Sequence, residues 1–127
     1  MSKTMNQPKT KKILIVNQSA PYSSGNAKES LDLALAAGTF EQDVSILFTG
    51  DACYQLLAAQ KPKEIDSKNL SQMLKVLPIY GVESLFVDKQ SLLNRNIRHI
   101  DNDLKITKIS ASESRELFQS AATVFRF

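Results

Sequence analysis

Along the chain, short runs of β-branched and apolar residues alternate with stretches in which apolar residues recur every three or four positions. "KKILIVNQ" carries Ile13 to Val16 behind two lysines and reads as a first strand. "SAPYSSGNAKESLDLALAAGTF" opens on turn residues, Pro21, Ser23, Ser24 and Gly25, and then repeats Leu31, Ala34 and Leu35 at helical spacing until Gly38 supplies a C-terminal stop. "DVSILFTG" is a second strand, and "DACYQLLAAQ" a second helix with Asp51 as its N-cap. In "SKNLSQMLKVLP", Ser67 caps a third helix whose stripe of Leu70, Met73, Leu74 and Leu77 ends at Pro78. "ESLFVD" is a third strand, followed by a short helix over Gln90 to Asn94. A strand near "LKITKIS", a helix from Ser110 with Glu113 three residues on, and a last strand "TVFRF" complete the pattern. The boundaries are least defined between Arg95 and Asp103.

Strands and helices thus alternate throughout, which predicts a three-layer α/β/α domain with a mostly parallel five-stranded sheet joined by right-handed crossovers. At 127 residues, 43% of them hydrophobic, the chain makes one domain over residues 11–127, preceded by a basic, disordered arm over residues 1–10. No apolar run approaches the ~20 residues a membrane span needs, and the polar start lacks a signal-peptide core, so the expected location is cytoplasmic, away from membranes. The net charge of +3 invites a nucleic-acid reading. Its distribution argues otherwise, because lysines cluster at Lys3, Lys9, Lys11 and Lys12 and elsewhere mix with Glu64 and Asp66, without a basic stripe or aromatic RNA motif. One cysteine, Cys53, and one histidine, His99, leave no cluster for zinc; neither a metal nor a cofactor is expected.

In such sheets ligands sit beyond the carboxyl ends of the strands, which points to three loops. The first, "NQSAPYSSGNAK", offers hydroxyls and Gly25 ahead of a helix and could cradle a phosphate, although it lacks both the Walker and the dinucleotide glycine patterns. The second carries Cys53 just inside a helix start, where the helix dipole would favour a thiolate. Against that, Cys53, Leu56 and Leu57 fall at i, i+3 and i+4, a spacing that turns the sulfur into the core. The third, "FVDKQS", places Asp88 and Lys89 at a strand end, as an acid–base pair or simply a surface cap.

From about Lys11 to Phe127 the sequence resembles the DsrF/TusC family of the DsrE/DsrF/DsrH-like sulfur-relay proteins. The resemblance is carried by "SAPYSSGNAKESLDLALA", "LFTGDACYQLLAAQKP", "LPIYGVESLFVD" and the terminal "VFRF", and "YQLLAAQKP" is its most specific block because no generic helix pattern demands it. It implies the DsrE/F-like fold and a subunit of a heterohexamer with two copies each of TusB/DsrH-like, TusC/DsrF-like and TusD/DsrE-like chains. That complex receives persulfide sulfur from a TusA-like carrier and passes it through a TusE-like one toward 2-thiouridine in tRNA, while its Dsr counterpart serves sulfur oxidation. The resemblance also implies that the carrier cysteine belongs to the TusD/DsrE-type subunit, at the end of its third strand. Val87, Asp88 and Lys89 occupy that region here.

The expectation is therefore a non-catalytic structural subunit rather than an enzyme. Tyr22, Tyr54, Tyr80, Phe125 and Phe127 are its candidate interface anchors by residue type, with core packing as the alternative for each. Two other readings stand beside it: a sulfur carrier acting through Cys53, and a small nucleotide-binding flavodoxin-like protein using the loop from Ser19 to Gly25.

Overall fold

The computed structural model describes residues 11–20, 25–40, 42–57 and 72–127. The expected basic arm, Tyr22, Ser67 and Leu70 lie outside the described residues. In chain order the elements are β1 (Lys12–Asn17), α1 (Asn26–Thr39), β2 (Asp43–Phe48) and a 3-10 helix (Gly50–Leu56). Helical residues 72–76 then run into a 3-10 turn (Leu77–Tyr80), followed by β3 (Ser84–Asp88) and α2 (Lys89–Asn94). β4 (Thr107–Ile109), α3 (Ala111–Ser120) and β5 (Thr123–Arg126) close the domain.

All five expected strands form one sheet in the order β4-β3-β2-β1-β5, with every pair parallel. Right-handed crossovers explain where the helices lie. The steps β1 to β2, β2 to β3 and β3 to β4 move one way and lay their connections on one face. The step from β4 back across the sheet to β5 moves the other way and puts α3 on the opposite face.

Parallel strands need cover on both faces, and the strand sequences are apolar at consecutive positions for that reason. Ile15, Val44, Ile46, Phe48, Leu85 and Val87 point to the first face, where Leu31 and Ala34 of α1, Cys53 and Leu56 of the 3-10 helix, and Leu74 and Leu77 meet them. Leu14, Val16, Leu47 and Ile109 point to the second, under Leu117 and Phe118 of α3. The two layers are unequal. Five residues of α1 are buried, and none of α3.

Three local expectations are corrected. Gly38 does not stop its helix: α1 continues to Thr39, and Gly38 is buried within it. A Cβ there would collide with the carbonyl oxygen of Tyr80 and stand 2.8 Å from Val82 Cγ2, so the absent side chain is what lets the turn before β3 press against α1. The segment from Asp51 is a 3-10 helix, not an α-helix, and its N-cap is Thr49 in extended conformation. Its last residue is Leu56, and Leu57 is already extended, so only Cys53 and Leu56 of the expected three-residue stripe share the inner face. Before Pro78 the α-helical residues end at Val76, as expected, and the chain continues from Leu77 as a 3-10 turn with Pro78 near its start.

The reading of Ser110 is confirmed. Its hydroxyl accepts from the Glu113 N–H at 3.3 Å while the Glu113 carboxylate accepts from the Ser110 N–H at 2.9 Å, a reciprocal capping box. Among the described residues no helix is long and apolar enough to cross a membrane.

The Gly38 contact is testable by a single methyl. Gly38→Ala should destabilise the domain by about 2 to 3 kcal/mol in urea unfolding, because the obstructing atom is backbone and cannot rotate away. Gly25→Ala is the control: its Cβ would meet nothing closer than 3.4 Å, and stability should stay within ~0.5 kcal/mol of the parent.

Candidate functional site

The carboxyl ends of β1, β2 and β3 bring together the second and third loops singled out from the sequence, with the described part of the first beside them. At the end of β3, Asp88 is the N-cap of α2. One of its carboxylate oxygens accepts from the Ser91 N–H at 3.0 Å and from the Ser91 hydroxyl at 2.7 Å. That hydroxyl in turn accepts from the Gly50 N–H at 2.9 Å, so a single serine joins the loop after β3 to the loop after β2. Gly50 has φ +56°, a left-handed conformation that turns its N–H toward Ser91 at little steric cost.

A second tie crosses the same gap. Arg95, just past α2, donates from Nε to Asp51 Oδ1 at 3.0 Å and from Nη1 to the Ser91 carbonyl at 3.3 Å. Asp51 therefore serves as the partner of Arg95 and not as the N-cap expected from its position. On the other side, the buried Gln55 accepts from the Asn17 amide at 3.5 Å and donates to the Ser19 carbonyl at 2.9 Å, anchoring the 3-10 helix to the end of β1. The Ser19 to Gly25 loop is described only at Ser19, Ala20 and Gly25, and Gly25 is the N-cap of α1 with no side-chain hydrogen bond to the helix.

Cys53 lies beneath these ties. It is fully buried among Phe48, Ala52, Leu56 and the rest of the first core. Burial pushes its thiol from an ordinary value of 9.0 up to about 11; Arg95 opposes that rise, while Asp88 and Asp51 add to it. A protonated, enclosed sulfur is a poor nucleophile, so the environment works against the thiolate that the helix start alone would favour.

The interface candidates fall into two groups. Tyr54, Tyr80 and Phe125 are exposed, whereas Phe127 is half-buried against the first core. Three large apolar side chains that residue type alone passed over, Phe40, Ile79 and Leu93, are each more than two-thirds exposed. The signal for Leu93 was present in the sequence, because Leu92 and Leu93 are adjacent on a one-and-a-half-turn helix and only one of them can face inward.

Cys53 gives this site a pH signature. Folding favours the neutral thiol, so its contribution to stability is present below pH 9, where the unfolded thiol is also protonated, and is lost as pH rises toward 11. Stability measured between pH 8 and 11 should decline in the parent and decline less in Cys53→Ala. Iodoacetamide at pH 8 should leave the native chain almost unmodified and label it rapidly in 8 M urea; fast labelling of the native chain would contradict the burial of the sulfur.

Comparisons with known proteins agree with this architecture. The profile of the DsrE/DsrF-like family matches residues 11–127. A "Protein TusC homolog" of Vibrio parahaemolyticus is 34% identical over 110 residues, covering 87% of this chain and 93% of that protein. A protein of the same description from Pseudomonas aeruginosa is 35% identical over 107 residues, covering 84% and 90%. The "Intracellular sulfur oxidation protein DsrF" of Allochromatium vinosum is 35% identical over 114 residues, covering 90% and 82%. Among solved structures, the ychN protein of E. coli superposes with a TM-score of 0.75 at 27% identity, covering 92% of this chain and 99% of that one. With its profile matched from Lys11 to the end and relatives above 30% identity over most of its length, this chain belongs to the DsrE/DsrF-like family.

Proposed function

We propose that this chain is a structural subunit of a cytoplasmic sulfur-transfer complex of the TusBCD or DsrEFH kind. In it, the chain buries surface against a TusB/DsrH-like and a TusD/DsrE-like subunit and leaves sulfur chemistry to the latter. The TusA-like and TusE-like carriers then deal with the complex, not with this chain directly. The names of the relatives support the pathway, since they include both TusC and DsrF proteins.

The observation that carries the subunit role is the state of the carboxyl end of β3. Asp88 stands there with its carboxylate engaged by Ser91, while the chain's lone cysteine is sealed one layer below. A carboxylate cannot take up sulfane sulfur, and a buried thiol held protonated cannot reach a carrier's persulfide. What this end of the domain offers instead is a braced surface: the Asp51–Arg95 pair ties the 3-10 helix that carries the exposed Tyr54 to α2, which carries the exposed Leu93. Permanent subunit interfaces commonly bury about 2,000 Å² or more, and exposed aromatic and aliphatic side chains on rigid elements suit that role.

Co-expression with the two partner subunits should give one complex containing all three chains by size exclusion. In that complex Cys53→Ala should retain persulfide delivery to the downstream carrier, at a cost of about 1 kcal/mol in stability from the lost sulfur contacts. A folded, assembled Cys53→Ala complex that no longer transfers sulfur would reassign Cys53 as a carrier and remove the proposal.

A further inference from the structure

The second face of the sheet is covered by α3 alone among the described residues, and α3 leaves a groove on its β3–β4 side. Its volume is about 370 Å³, and it is lined by Phe86, Ile109 and Leu117 with Glu113, Glu116 and Ser120. Phe86, in the middle of β3, stays half-buried although its strand is interior to the sheet. Parallel strands ordinarily have helices over both faces, and among the described residues this interior strand is left partly bare on one of them.

The charged residues that line the groove are of one sign, although Arg115 stands between them on α3 and Lys89 lies near Glu113. Glu113, Glu116 and Ser120 follow one another at helical spacing along the groove flank, and both charged residues of the lining are acidic in a chain whose net charge is +3. On the side toward β5, Arg126 lies 5.1 Å from the centre of the Phe118 ring. The Ser110 N–H and hydroxyl that engage Glu113, with a smaller contribution from the charge of Lys89, hold its carboxyl below the usual range. An apolar floor under an acidic wall selects its occupant by charge as well as shape.

We propose that this groove is a docking surface for a segment of a partner subunit that inserts a large apolar side chain over Phe86 and Ile109 and sets lysine or arginine against Glu113 and Glu116. The inference rests on the subunit reading and adds to it which face is used and what chemistry the partner presents.

The test uses the three-chain complex, a zero-length carbodiimide that joins carboxylates to amines, and mass spectrometry of the joined peptides. The expected product links Glu116 or Glu113 to a lysine of a partner subunit. Glu116→Lys should weaken assembly about tenfold, more at low salt than at high, while Glu116→Gln has a smaller effect; Glu116 is exposed, and both variants should keep the parent's melting temperature. Links only to lysines of this same chain, or to a second copy of it, would overturn the proposal, as would a complex that assembles unchanged with Glu116→Lys. Failure of the three chains to associate at all would instead remove the subunit reading and this inference with it.

Discussion

The pairing of β1 on both of its sides is the constraint from which the rest of the molecule follows. β1 takes β2 along one edge, from Lys12 with Asp43 to Asn17 with Phe48, and β5 along the other, from Ile13 with Thr123 to Val16 with Arg126. The β5 ladder joins the two ends of the described chain, a contact of the longest sequence separation and therefore the costliest in loop entropy. It is held by Ala122 N–H to the Lys12 carbonyl, Phe127 N–H to the Val16 carbonyl, and Gln18 N–H to the Phe127 carbonyl. Ile13 to Val16 have to be apolar on both faces because this strand has a core above and another below.

That central strand also positions the carboxyl-end loops. The Thr49 N–H bonds the Asn17 carbonyl, and Gln55 reaches across to Asn17 and Ser19, so the 3-10 helix is registered directly on the end of β1. From there Gly50 and Asp51 pass the registration to Ser91 and Arg95. Five polar side chains and one glycine thereby turn three adjacent loops into a single braced surface, with Cys53 beneath it. The thiol is surrounded by charges of both signs, yet desolvation outweighs them all, which is why its environment resembles a core position more than a reactive one.

The two faces of the sheet have different work. The first is closed by α1, the 3-10 helix and the segment through Leu77, and the close approach of Gly38 to Tyr80 shows how tightly it is packed. The second depends on one amphipathic helix with no fully buried residue. Among the described residues, one face is closed and the other thinly covered.

Strand identity was legible in the sequence because burial on two faces forces consecutive β-branched and apolar residues, and no helix produces that pattern in runs so short. All five strands, the parallel arrangement and the Ser110 capping box were set by such local rules. The exceptions share a cause. Gly38 looks like a helix stop until Tyr80, far along the chain, is packed against it; Asp51 looks like a cap until Arg95 claims it; and Leu57 looks helical until the 3-10 helix ends one residue short of it. Cys53 belongs with these, since its helical phase pointed inward but only the overlying loops decide how far its thiol is desolvated. Periodicity along a chain reports which residues must avoid water, and that suffices for the sheet; which polar group meets which across a gap depends on distances in space that no local pattern encodes.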